Sequence, residues 1–573
     1  MSDEKIVKLN SASDKMSALE RRVRQVLELD PSARLRAILD DPKAGAVVKA
    51  MPPQELLLTI KQVGEHDAIP LIELASPKQL IFLTDIEWWI GDTLDPDRIL
   101  HWMELLLECG EKKVIEWLRN VDAELLVTLL RKFLVVTKPD KDTQPEILVD
   151  SLPPITFDGV YHLNFFNEDA YRILSKVMAL FVIERRDLYW RILEGIIWES
   201  GPETQELATR LRNGRLRDIG IPDMDEALEI YRYLDERRFW NLPPKDRPAR
   251  LGDEDIAPRY TLAPLSGERI YLISAMAIIE ETEVLDGLFQ ELAHLVNRVL
   301  VADHEDMADA SAVIRAAQKI RATVSMGLEI LSSGDVVRAV EILRSRWLLY
   351  VFQVGYSRAL KLSRLAHKME RKGLLSKIPE AVELLDEPLK QLFDGVKRPR
   401  PMWHIGGPDP YRAFLSIDEI ARARRALEKI EFLFDLFFDR LKLLKPDPSS
   451  WLHKRVYPTN VTFSTVLRTA FANAAAGRGF EYKALRISDL KTIVENAFEE
   501  KHGKVAKRYL RESVRSDLTA YLEAQKTAKN DLEREFRDEF IKSCLDALEE
   551  ELGRLDPTKP IDPRFIQGLL IRK

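Results

Sequence analysis

Between residues 50 and 130 the apolar positions fall into short runs with similar starts. In "AMPPQELLLTI" (Ala50–Ile60) and "ASPKQLIFLT" (Ala75–Thr84), a small residue and a proline precede a polar pair, and aliphatic residues follow. Pro96-Asp97-Arg98-Ile99 repeats the pattern, and Asp122-Ala123-Glu124-Leu125 is a looser fourth copy. Proline suits the first helical position because the N–H it lacks would have had no partner there. Ser76 and Asp95, just before their prolines, are good N-caps, each worth roughly 1 kcal/mol over alanine. The pattern therefore predicts four helix starts. "AGAVVKAM", "DAIPLIELA" and "EKKVIEWLRNV" between them read as short partner helices. A ten-residue helix is marginal alone in water, so neighbours have to share a core. The expectation is a helical-repeat domain over residues 20–137.

Proline clusters then punctuate the chain. After "TKPDKDTQPEILVDSLPP", the stretch "ITFDGVYHLNF" places Asp158-Gly159 between two runs rich in aromatic and β-branched residues, which predicts one short β-hairpin near 155–165. Helical patterns fill the rest of a 150–240 domain. A proline-rich loop over 241–268 leads into a long-helix bundle at 265–395. There "VVRAVEILRSRWLLYVFQVGYSRALKLSRLAHKMERKGLL" has no proline and reads as a single helix. A third break, "VKRPRPMWHIGGPDPY", precedes the capping box Ser416-Ile417-Asp418-Glu419 and a helical domain over 412–553. Residues 554–573 read as an extended tail that either docks through Phe565, Ile566 and Leu569 or stays loose. The fold class is mainly α: helical repeats followed by irregular helical bundles.

Composition narrows the function. The 573 residues carry 46% hydrophobic and 31% charged positions, and the net charge of −7 is small for this length, which argues against a generally basic nucleic-acid binder. Cys109 and Cys544 form neither a disulfide framework nor a zinc-ligand cluster. The N-terminus lacks the apolar core of a signal peptide, and no apolar run approaches the ~18 residues a membrane-spanning helix takes. These features predict a cytoplasmic protein without membrane insertion. On that basis the glycosylation sequon at Asn460-Val461-Thr462 is coincidental.

Motifs that carry chemistry are sparse. No G-x-x-x-x-G-K-[ST] or G-x-S-x-G occurs, and Gly477-Arg478-Gly479 has no strand–helix context. His66-Asp67 has no preceding histidine to complete an HD-type hydrolase set. His304-Glu305 has Ala308 where H-E-x-x-H needs its second histidine. Glu291…His294 and Glu499…His502 match the spacing of helical di-metal sites, and Asp303–Ser311 gathers four carboxylates and a histidine without the glycine or terminal glutamate of a calcium loop. No cofactor and no catalytic set is predicted, and an enzyme is the lesser expectation. Lys501, Lys504, Arg508, Arg511 and Arg515 recur at spacings of 3, 4, 3 and 4, which on a helix makes one basic stripe suited to a polyanion. Lys397, Arg398 and Arg400 add a basic loop.

Residues 30–135, through "AVVKAMPPQELLLTIKQVG", "PLIELASPKQLIFLT" and "VIEWLRNVDAELLVTLL", resemble the N-terminal helical domain of bacterial magnesium transporters and, more distantly, the helical repeats of the flagellar motor-switch protein. The regulatory modules and pore of the transporters have no counterpart in these residues, so the resemblance implies a superhelical, protein-contacting fold and not transport. The whole chain, with "IWESGPETQELATRLRNGRLRDIGIPDMDEALEIYRYLDERRF", also looks like a family of uncharacterised bacterial proteins of similar length. The leading expectation is a non-enzymatic scaffold or regulatory protein that holds a protein partner on the free wall of residues 30–137. The alternatives are nucleic-acid contact through residues 501–515, and a helical metal-dependent enzyme using Glu291, His294 and the Asp303–Asp309 cluster.

Overall fold

The computed structural model describes residues 18–139, 152–245, 256, 258–260, 271–408, 410–448, 451, 456–457, 460–500, 508–555, 562 and 566–572. The chain divides into two compact units, Met1–Ser357 and Arg358–Lys573. It is mainly α-helical, with a few short two-stranded sheets.

The first unit opens with α1 (Ala18–Leu27), α2 (Pro31–Leu39), α3 (Ala44–Ala50), α4 (Pro53–Val63), α5 (Ile69–Leu74) and α6 (Pro77–Glu87). The short ladder β1 (Trp89–Ile90) and β2 (Thr93–Leu94) follows, then α7 (Pro96–Glu108), α8 (Glu111–Leu118) and α9 (Ala123–Leu130). All four predicted helix starts are present. Ser76 and Gln79 form a reciprocal capping box, and Asp95 accepts from the Arg98 N–H. The helices alternate between two rows: α2, α4 and α6 pack side by side in one, and α1, α3, α5 and α7 in the other. Gln79 ties the rows, its buried amide donating to the carbonyls of Val48 and Met51. Trp88, Trp102 and Trp117 are fully buried in the shared core.

Next come β3 (Leu134–Thr137) and β4 (His162–Phe165). The strand predicted from "ITFDGVYHLNF" forms, but its partner is not the run on the other side of Asp158-Gly159. It pairs antiparallel with Leu134–Thr137, while on its other edge Ile155 bridges to Leu163 and the Leu152 N–H donates to the Phe165 carbonyl. Asp158 still makes the turn, accepting from the N–H groups of Val160 and Tyr161. The reason is burial: Leu134, Leu163 and Phe165 are inside, and the half-exposed 155–157 run has less to gain.

Helices α10 (Glu168–Glu184), α11 (Arg186–Trp198) and α12 (Gly201–Asp218) wrap around α9 and the end of the repeats. The short α13 (Met224–Leu228) and α14 (Glu236–Trp240) lead to α15 (Tyr271–Met276), α16 (Thr282–Ala302), α17 (Ala310–Ser332), α18 (Val336–Ser345) and α19 (Leu348–Arg371). The predicted single helix from Val336 is thus two. Arg346 is extended (φ −130°, ψ 145°), and the Leu348 N–H is accepted by Glu291 of α16 at 2.9 Å. A carboxylate from another helix caps the new N-terminus, which no local pattern announces. Further on, α17 and α19 cross with their backbones nearly touching. A Cβ on Gly327 would lie 2.0 Å from the Val351 carbonyl oxygen, and one on Gly355 2.2 Å from that of Thr323.

The second unit holds α20 (Leu389–Lys397), the hairpin β5 (Trp403–His404) and β6 (Tyr411–Arg412), and α21 (Ile417–Phe434), which continues as a π-helical turn over Asp435–Arg440. Ser416 caps α21 as its sequence predicts, accepting from the Glu419 N–H. Then come β7 (Val456–Tyr457), α22 (Phe463–Ala475), α23 (Ile487–Ala497), β8 (Phe498–Glu500), β9 (Arg508–Leu510), α24 (Glu512–Ala524), α25 (Asp531–Leu552) and β10 (Ile571–Arg572). The tail docks: Ile566, Leu569, Leu570 and Ile571 are buried, and β10 pairs with β7. Phe565 lies outside the described residues.

Candidate functional site

The wall of residues 30–137 expected to be free is largely occupied by later helices of the same unit. Leu57, Leu58 and Lys61 of α4 and Phe82 and Ile86 of α6 face Tyr260, Asn297, Leu300 and Val313, leaving a space of only about 30 Å³. Charge pairs seal this seam. Glu55 is fully buried; it pairs with Arg34 at 3.3 Å and accepts from the N–H groups of Arg259 and Tyr260. Burial pushes its carboxyl above the ordinary range, against Arg34 and the two N–H groups that pull it down. Arg24 and Asp286 form a bidentate pair at 2.6 and 3.0 Å. On α6, Asp85 is buried under Arg215 of α12, with both carboxylate oxygens engaged. Helix pattern does not reveal such closure, because the charged residues concerned are read as solvent-facing.

The residues singled out for metal chemistry are used structurally. Glu291 is paired with Lys245 and caps α19, while His294 lies against Gly220, where a Cβ would come within 2.2 Å of its ring. Burial holds the His294 imidazole below its usual range, with Arg298 adding to the effect. Asp303 accepts from Lys319 at 2.7 Å and from Tyr231, Asp306 pairs with Arg98 at 2.5 Å, and Glu305 pairs with Arg315 at 3.3 Å. Among the described residues no group of three or more His, Cys, Asp or Glu is arranged to hold a metal ion. Burial pushes the Cys109 thiol up to about 11 and the Cys544 thiol up to about 12, so neither is a ready thiolate.

The basic stripe at 501–515 does not form as one helix. Lys501 and Lys504 lie outside the described residues. Arg508 is on strand β9, Arg511 precedes α24 and Arg515 is within it. Phe498 and Leu510, opposite one another across β8 and β9 and both buried, draw this segment into a ladder where periodicity predicts a helix. The arginines are engaged within the chain: Arg508 donates to the Leu555 carbonyl, Arg511 to those of Glu495 and Phe498, and Arg515 pairs with Asp546 and Glu549.

A groove of about 990 Å³ runs along α12 in the first unit. Thr128 and Lys132 at the end of α9, Gly201, Gln205, Arg210 and Asn213 of α12, and Asp92 of the β1–β2 turn line it. Arg131 fixes one end: its guanidinium donates to the carbonyls of Gly195, Ile196 and Glu199 and so locks the α11–α12 corner. Trp198, three residues before Gly201, is 77% exposed. Trp190 is 40% exposed and Ile183, on α10, 76%. The indoles are exposed yet fixed. Trp198 donates to Glu194 and Trp190 to Asp158, both at 2.8 Å, and Lys138 and Tyr161 hold Glu194 in turn. Hydrogen bonds from Lys138 and Tyr161 keep the Glu194 carboxyl below its ordinary range. Spacing offers a signal for this ladder, since Trp190, Glu194 and Trp198 repeat every four residues on one helical face. The same spacing fits a buried face equally well, so pattern alone does not mark it as exposed.

Neither the curated proteins nor the solved structures contain a match to this chain. The model of a family of unknown function, DUF6178, matches residues 11–572, and the chain therefore belongs to that family.

Proposed function

We propose that the protein is a non-enzymatic helical scaffold or regulatory protein that binds a protein partner through the groove beside α11 and α12. The observation that carries this reading is the pair of exposed tryptophans held rigid by Asp158 and Glu194. Large aromatic side chains supply most of the energy at protein interfaces, and a side chain already fixed loses little entropy on binding. The two-row stacking of α1 to α7 supports a protein-contacting role. That role now falls on the flank of α11 and α12, since the seam closes the α4–α6 wall. Among the described residues no helix is long and apolar enough to cross a membrane, and both cysteines are free, which supports a reducing cytoplasmic setting.

Recovery of bound proteins from native lysate by the wild-type chain, by Trp198→Ser and by Lys132→Glu/Arg210→Glu tests the reading. A partner retained by the wild type and lost from both variants, with circular dichroism unchanged, is the expected result. An identical set of bound proteins on all three would sink it.

A further inference from the structure

The boundary between the units uncovers a polarity that the net charge conceals. Met1–Ser357 carries 44 Lys and Arg against 60 Asp and Glu, a net charge of −16, whereas Arg358–Lys573 carries 42 against 33, a net of +9. Part of the second unit's basic complement lines one helix face. Lys361, Arg364, Lys368 and Arg371 recur at spacings of 3, 4 and 3 on α19, all exposed, and Lys372 follows. This is a true helical stripe of about 15 Å at 1.5 Å per residue. Two cations in the last turn would suffice to offset the helix dipole, so the length of the stripe has no explanation there. Among the described residues Lys361, Lys368, Arg371 and Lys372 have no carboxylate partner. Glu370 of the same helix pairs with Lys397, which sets the neighbouring Arg398 and the β5–β6 hairpin beside the end of the stripe.

That hairpin carries planar side chains on both faces. Trp403 stands opposite Arg412, and His404 opposite Tyr411. The exposed guanidinium of Arg398 lies 3.8 Å from the Tyr411 ring centre, and that of Arg422, also exposed, lies 5.4 Å from the Trp403 ring centre. Neither arginine has a carboxylate partner among the described residues. Tyr411 packs against Gly395, where a Cβ would sit 2.8 Å from the ring, so the hairpin is seated firmly on α20. Gly406 and Gly407, at φ +77° and +87°, supply the left-handed backbone its turn needs.

We propose that this surface, the α19 stripe together with the Arg398–Tyr411 and Arg422–Trp403 pairs, binds single-stranded nucleic acid. A row of exposed cations follows a phosphate backbone, and the guanidinium planes spread on the rings beside it take unpaired bases; both are needed by a single strand and by neither an acidic peptide nor a lipid headgroup. A duplex keeps its base faces stacked and has no use for the rings.

The test uses the full chain and fluorescein-labelled 15-nucleotide oligo-dT and oligo-U, read by anisotropy from 50 to 300 mM salt. Binding is expected to weaken linearly in log–log form with a slope of about −3 or steeper, at roughly −0.7 for each phosphate contacted. Arg398→Ala/Arg422→Ala should lose tenfold or more. Arg398→Lys/Arg422→Lys, which keeps the charge and removes the planar group, should fall between. A preference between the two oligomers assigns RNA or DNA. No binding at 50 mM salt overturns the proposal. So does tighter binding of the same sequence as a duplex, tighter binding of phosphatidylglycerol vesicles, or an alanine variant that binds as the wild type does.

Discussion

The two units treat charge in opposite ways. The acidic first unit spends its carboxylates on itself: Glu55, Asp85, Asp286 and Glu291 are all buried or nearly so, and each meets an arginine or lysine. Such pairs join segments far apart in sequence, as Arg24–Asp286 and Arg215–Asp85 do, and they hold the α16–α17 layer and α12 against the repeats. The basic second unit does use ion pairs, as Arg440 with Asp435 and Glu533 shows. On the α19–hairpin surface, though, its cations are exposed, and Arg398 and Arg422 rest on rings. A buried pair is costly to break but adds little beyond an apolar pair, so its value lies in fixing which surfaces meet. An outward cation on a ring contributes little to folding and is available to a ligand. The comparison teaches that the sign of a unit's charge says less than the direction its charged side chains face.

The largest effect should come from the seam. Glu55→Ala leaves Arg34 buried without its carboxylate and orphans the Arg259 and Tyr260 N–H groups, a loss of about 3–5 kcal/mol. Urea denaturation should show it, and a change under ~1 kcal/mol would mean that the pairs do not hold the α4–α6 wall shut. Gly327→Ala comes next, at about 1–3 kcal/mol, since its methyl group would press on the Val351 carbonyl. Chemical denaturation at the level of glycine's ordinary helix penalty, with alanine the more stable, would contradict the close crossing.

On the other side of the comparison, Arg398→Ala/Arg422→Ala should lower stability by no more than about 1 kcal/mol for each exposed ring contact. A thermal scan in which the double variant unfolds like Glu55→Ala would place these arginines in the framework instead of at a binding surface. Trp198→Ser, at a position 77% exposed, should be smaller again, within about 0.5 kcal/mol. The smallest effect is a pH dependence. Glu194 has a depressed pKa, chiefly through Lys138, so its hold on Trp198 is complete above the ordinary glutamate range and fades as pH falls below it. The Trp198 indole N–H resonance, assigned by its absence in Trp198→Phe, should shift on acidification; one that stays fixed down to pH 3 would show that Glu194 is not its acceptor.

Local rules carried much of the helical framework. Ser76, Asp95 and Ser416 cap the helices their positions predict, and Ile566 and Leu569 dock as an apolar tail should. The same rules failed where a distant group competed with a local preference. Glu291 caps a new helix at Leu348, Leu134–Thr137 took the strand expected to fold back on 155–157, and the Phe498–Leu510 pair put Arg508 on a strand where periodicity predicts a helix. Of the candidate sites, Arg398 was visible in its basic loop and Trp190 and Trp198 in their four-residue spacing. Neither spacing nor composition could say which of them faces solvent.

Sequence by itself determined where most helices begin, because caps, prolines and the 3.6-residue period act within one or two turns and need no distant partner. It also set the total charge. Tertiary structure alone decided which charges became ion pairs and which stayed outside, where the acidic half ends and the basic half begins, and which wall of the repeats was closed. Those outcomes depend on side chains separated by tens to hundreds of residues meeting in a shared desolvated space, and the energy of such a meeting belongs to the pair and to neither segment.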